Sequence, residues 1–289
     1  ALLSGMAALS HELLWTRRLI DLLGGSGAAT SRVLGCFFLG LSLGAALSTR
    51  FVGKQRRPWR TVAILEAGIA LATLPALLLP WWTQSVWPAL GPEVLSNWGG
   101  DVVKLLLSLV VVLPPATLMG MVLPALGAAV FGAHATLRRE GLWLYATNTL
   151  CGALGLLLAS LVTLTWLGVA GSMAATAAVT VTVAVSCWLF APLATEDVLV
   201  SAIPAPNRLH RERKQVTSVP LPLRMALGLS LFSGAGVLAT EVLAIHLVST
   251  VVPSSLHATT GLLMAVILTL AIAALIVSWL VARFGRPER

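Results

Sequence analysis

Apolar runs follow one another along almost the whole chain, and polar residues gather in the intervals between them. Each run is near the ~20 residues that cross a bilayer as a helix. Eight helical spans are expected, at about 2–23, 28–51, 61–82, 102–131, 142–167, 170–191, 225–251 and 255–284. The predicted fold class is all-α, a polytopic transmembrane helical bundle. The fourth span is long enough to tilt or leave the membrane, and Pro114, Pro115 and Pro124 should break or kink it. The spacing divides the chain into a six-helix bundle over 1–191, a linker over 192–224 and a helix pair over 225–289.

Composition supports the lipid setting: 57% of residues are hydrophobic, 10% are charged and the mean hydropathy is +0.92. A soluble domain has no place to hide so much apolar surface. The formal charge of +8 raises the question of nucleic acid, but 15 of the 19 Lys and Arg lie in four clusters bordering apolar runs. Those clusters cover 50–60, 138–139, 208–224 and 283–289, and the connections near 24–27, 83–101, 168–169 and 252–254 contain no Lys or Arg. All four clusters share one side if the spans alternate, so the positive-inside rule makes both chain ends cytoplasmic and the protein multi-pass. No nucleic-acid partner is expected; the lipid bilayer is. Trp81, Trp82, Trp87 and Trp98 on the opposite side fit an interfacial aromatic belt. Ala1 opens the sequence inside an apolar segment, and Glu12, Arg17, Arg18 and Asp21 argue against a signal peptide.

Candidate chemistry enters through a repeat. Ser4-Gly5, Leu9, Glu12 and Leu14 recur 229 positions later as Ser233-Gly234, Leu238, Glu241 and Leu243, with His246 falling opposite Arg17. Ionisable residues within membrane spans are costly and mark functional sites by default. Glu12, Arg17, Arg18 and Asp21 fall within ten residues, and each would cost about 2.5–3.5 kcal/mol at the membrane centre. The first helix therefore cannot face lipid. Gly5, Ala8, Glu12 and Thr16 share a face open to a neighbouring helix, and Arg17 can pair with Asp21 at i, i+4. Two readings of the carboxylates stand together. Glu12 and Glu241 line a cavity and bind a cation or exchange a proton, or each anchors its own bundle through Arg17, His246 or backbone groups.

Other polar residues have packing as the first explanation. Glu66 is expected to pair with a loop arginine, and Asn148 to hydrogen-bond between helices. Gly40 and Gly44 form G-x-x-x-G, and Gly152 and Gly155 are a second pair of small residues for close helix approach. Cys36, Cys151 and Cys187 have neither metal-ligand nor disulfide spacing. No Walker loop, HExxH or nucleophile elbow is present, so no catalytic, metal or cofactor site is expected. Six crossings separate the two repeat copies. They enter from the same side, as in the parallel halves of major facilitator transporters, and the chain reads as a six-helix half plus two helices of a second repeat.

Three segments carry a family resemblance: Ser4-Gly5 through Glu12-Leu13-Leu14-Trp15-Thr16-Arg17, Leu113-Pro114-Pro115-Ala116-Thr117-Leu118-Met119-Gly120 with Leu123-Pro124, and Leu144-Tyr145-Ala146-Thr147-Asn148-Thr149-Leu150 with Gly152 and Gly155. Together they resemble the membrane region of bacterial spermidine synthase-like proteins, including the fused major facilitator/spermidine synthase proteins. Gly53-Lys54-Gln55-Arg56-Arg57 resembles the major facilitator loop between helices two and three, without its usual Asp. The resemblance implies a helical bundle in the bacterial inner membrane, often joined to a cytoplasmic aminopropyltransferase-like domain. No segment here reads as that domain, so aminopropyl transfer is not expected of these residues. Three functions follow: an accessory or anchoring subunit of a membrane complex, a transporter or binder of a small polar or cationic solute such as a polyamine, or the membrane tether of a synthase-like domain.

Overall fold

The computed structural model describes residues 1–23, 27–51, 57–86, 88, 98–131, 139–201, 223–251 and 256–284. The side chains of Asp21, Glu241 and His246 lie outside the described residues, as do 202–222 of the linker and most of the Trp-rich connection. The described residues are helical almost throughout. We label the helices α1 (Leu2–Leu23), α2 (Gly27–Phe51), α3 (Pro58–Ala72), α4 (Leu74–Val86), α5 (Trp98–Phe131), α6 (Arg139–Leu158), α7 (Leu164–Ser201), α8 (Leu223–Val251) and α9 (Leu256–Phe284). A π-helical turn at Ala159–Thr163 joins α6 to α7.

Among the described residues, four stretches are long and apolar enough to cross a membrane: Thr30–Phe51, Pro58–Trp81, Gly99–Phe131 and Gly141–Ala191. The last has 51 residues. At 1.5 Å per residue it would reach roughly 75 Å if straight, over twice a bilayer core. It is not straight, because Gly168 leaves helical geometry at φ 66° and ψ −175°. That backbone region is essentially restricted to glycine. Helix α1 falls outside the four because of its charges, and it is accordingly sheltered: Ser10 through Thr16 are all buried.

Contacts between distant residues fix the helix directions. Arg32 meets Asp101, Gly40 lies against Ala116 and Gly44 against Gly120, so α2 and α5 run parallel. Ser4 meets Glu66 and Arg18 reaches the Ala76 carbonyl, so α1 runs parallel to α3 and α4. Gly5 lies against Asn148, Leu9 against Gly152, and Leu13 joins the cluster of Leu156, so α1 and α6 are parallel too. Arg60 stacks over Trp188 while Ile69 and Thr180 share a cavity, which sets α3 antiparallel to α7. The chain thus reverses between α6 and the part of α7 beyond Gly168.

Small residues let these helices touch. A side-chain carbon on Gly44 would run into the Thr117 carbonyl and come within 2.9 Å of the Gly120 Cα; one on Gly155 would meet the Met6 backbone. Dispersion and close backbone approach hold such interfaces, since lipid gives no hydrophobic reward for helix association. The main core joins α1, α2, α3, α4, α5 and α7 around Leu14, Trp15, Val62 and Ala116. A smaller cluster ties α1 and α6 to α9 through Leu13, Leu156 and Ile267.

Three local outcomes differ from the sequence expectation. The prolines of the fourth span sit inside one continuous helix, α5, without breaking it; Gly40 and Gly44 of α2 bear on the backbone just beyond Pro115 and brace it there. The third span instead divides at Thr73, whose hydroxyl hydrogen-bonds back to the Ile69 carbonyl just before Pro75 removes a donor. Helix α7 continues to Ser201, beyond the expected end of the sixth span at 191, so the linker begins helical.

Candidate functional site

The polar groups that converge among the described residues do not include Glu12. They lie where α1, α3, α6 and α7 meet, around a cavity of about 40 Å³ lined by Ser4, His11, Glu66, Asn148 and Thr180 among apolar neighbours from α5. Helical periodicity brings the α1 members together: Ser4, Ala7, Ala8 and His11 lie at i, i+3, i+4 and i+7 on one face. Gly5, one residue around the helix, admits Asn148 so closely that a Cβ there would collide with the Asn148 carbonyl. Close approach at Gly5 draws α6 in, and the polar stripe beside it is thereby enclosed.

Glu66 is 2% exposed, and one carboxylate oxygen accepts a short hydrogen bond of 2.5 Å from the Ser4 hydroxyl. Among the described residues no arginine pairs with it and a serine from α1 does; Lys54 and Arg56 of the basic loop lie outside the described residues. The difference has a physical cause: Glu66 points inward at mid-helix, whereas Arg60, the nearest described arginine in sequence, turns to the Trp188 ring at 5.1 Å. Burying a carboxylate costs a great deal unless its surroundings compensate, which makes the surroundings of Glu66 the chemically pointed part of the bundle.

His11 is fully buried, stacks on Trp15 with ring centroids 5.1 Å apart, and lies 3.1 Å from the Thr180 hydroxyl through Nε2. The Thr180 hydroxyl has one proton and directs it to the Thr176 carbonyl at 3.1 Å. It must therefore accept from His11, so a neutral ring carries its proton on Nε2. Nδ1 is left as an acceptor, and it has no hydrogen-bond partner among the described residues. The Trp15 indole N–H is likewise unsatisfied there.

The remaining candidates occupy other places. Glu12 is buried at 3% exposure, but the α1 wall of the cavity is made by His11 and the residues before it. Arg17 is half-buried nearer the far end of α1. Asp21, Glu241 and His246, whose side chains are not described, cannot be joined to the cavity. Gly40 and Gly44 face α5, and Gly152 and Gly155 face α1. Cys36, Cys151 and Cys187 are free and buried. Sequence reasoning passed over Ser4, His11 and Thr180 as site residues. The signal for the first two was the i, i+7 spacing of polar residues on a buried helix; Thr180, one of several threonines in its span, carried none.

No protein-family model, curated protein or solved structure matches this chain.

Proposed function

We propose that the protein is an integral membrane accessory or anchoring subunit, built on a spermidine synthase-like, major-facilitator-like bundle of eight spans. In this reading it lies in the bacterial inner membrane with both ends cytoplasmic. One observation carries the subunit assignment. In the first repeat copy, Ser4 is buried on Glu66 and Gly5 is closed over by Asn148. In the second copy, Ser233 and Gly234 are exposed, and Gly234 and Gly236 have nothing within 4 Å among the described residues. The same face that receives two helices in α1 meets none among the described residues in α8, beside Phe232 at 79% exposure. Small residues facing lipid gain nothing, while the same residues against a helix gain close packing. Helices of another membrane subunit are the occupant that the first copy suggests.

Transport or binding of a solute such as a polyamine is the second reading, and the carboxylate-lined cavity favours it. Its volume of about 40 Å³ is far below the roughly 300–1,000 Å³ of ordinary small-molecule sites, which supports anchoring over carriage. The third reading, a tether for an aminopropyltransferase domain, is tested by the mass of the native protein. The subunit reading is tested by mild-detergent purification from native membranes. A stoichiometric membrane polypeptide should accompany the wild type and be lost with Gly234→Leu, and a wild type that purifies alone would refute it.

A further inference from the structure

The cavity beside Glu66 has the size and the lining of a site for one small ion. A water needs about 10–15 Å³, so 40 Å³ holds about three atoms of that size and excludes ordinary metabolites. Its polar wall is rich in acceptors. Ser4 uses its proton on one oxygen of Glu66, leaving the second oxygen to accept. Thr180 uses its proton on Thr176 and obliges His11 to donate through Nε2, leaving Nδ1 to accept. Asn148 adds an amide whose oxygen can turn to a donor. No Lys or Arg lines the space among the described residues. A buried carboxylate beside an unsatisfied acceptor, His11 Nδ1, calls for positive charge and for N–H or O–H groups together.

We propose that this cavity binds one small cation that donates hydrogen bonds, ammonium or protonated methylamine, between Glu66, His11 Nδ1 and the Asn148 amide. Three acceptors suit an ion with three or four N–H donors, and the volume sets the upper limit on size. A nitrogen acceptor discriminates against alkali cations, which prefer oxygen ligands. The assignment is independent of whether α8 docks a partner.

The test uses the full chain in nanodiscs, with thermal unfolding followed by tryptophan fluorescence at matched ionic strength in ammonium, methylammonium, potassium and tetramethylammonium chloride. Ammonium should raise the midpoint saturably, by roughly 5 °C or more at a hundredfold excess over Kd, with methylammonium smaller and the other two without effect. Glu66→Gln should abolish the response. Ala8→Val, which fills the cavity wall without removing a hydrogen bond, should abolish it as well, and it serves if Glu66→Gln does not fold. Equal midpoints in ammonium and tetramethylammonium would mean that the cavity holds water only and would overturn the proposal. An equal response to potassium would overturn the hydrogen-bonding class of ion, and an undiminished response in both variants would place the ion elsewhere.

Discussion

Replacing Gly44 by alanine adds a single methyl group where α2 and α5 cross in backbone contact. The new carbon would overlap the Thr117 carbonyl and approach the Gly120 Cα and the Thr117 carbonyl carbon, each at 2.9 Å. All three neighbours are backbone, so no rotamer change relieves the overlap; α2 and α5 must move apart. Overpacking of a tight interface costs about 1–3 kcal/mol, and separated helices lose dispersion along the contact that runs from Gly40 to Gly44. The upper end, about 3 kcal/mol, corresponds to a fall in midpoint of roughly 6–12 °C. Gly35→Ala is the matched control, because Gly35 lies on the same helix with nothing within 4 Å. There alanine should leave the midpoint unchanged or raise it slightly, since helix propensity favours alanine by up to about 1 kcal/mol. Thermal unfolding of both variants in one detergent reads the difference directly. Equal midpoints for Gly44→Ala and Gly35→Ala would refute the close packing of α2 on α5.

Gly168→Ala should destabilise by about 1–3 kcal/mol through backbone strain alone, because φ is 66° and no neighbour lies within 4 Å; a midpoint equal to wild type would contradict the reversal placed there. Thr180→Val removes the acceptor of the buried His11 N–H, at a cost of about 1–3 kcal/mol. Adding His11→Phe should recover part of that loss in a double-mutant cycle, and strictly additive effects would deny the pair. The Arg32–Asp101 ion pair spans 2.6 Å but is open to solvent, with Asp101 63% exposed. Its coupling energy should be no more than about 1 kcal/mol and should fade in high salt; a salt-independent value would indicate a buried pair.

The helices themselves were legible because hydropathy is an average over ~20 residues and survives local detail. Gly168 falls within the uncharged connection expected at 168–169, where a chain that must turn has a residue able to do so. The close approaches at Gly40, Gly44, Gly152 and Gly155 follow from spacing on one helix face. What could not be read was which distant residue each face would meet. Ser4 with Glu66 and His11 with Thr180 are separated by 62 and 169 positions, and no local pattern encodes such pairings. Reading α1 through its charges drew attention to Glu12, whereas the polar stripe through Ser4 and His11 forms the cavity wall. The division at Thr73 was hidden because Pro75 lies inside an otherwise unbroken apolar run.

In the proposed subunit, α8 presents to another polypeptide the face that α1 buries within this chain. A photoreactive residue at position 234, activated in native membranes, tests it most directly, with position 181 as the lipid-facing control, since Val181 is exposed on α7. A discrete adduct should form between position 234 and a membrane polypeptide, and lipid adducts alone at 181. Lipid adducts alone at both positions would contradict it.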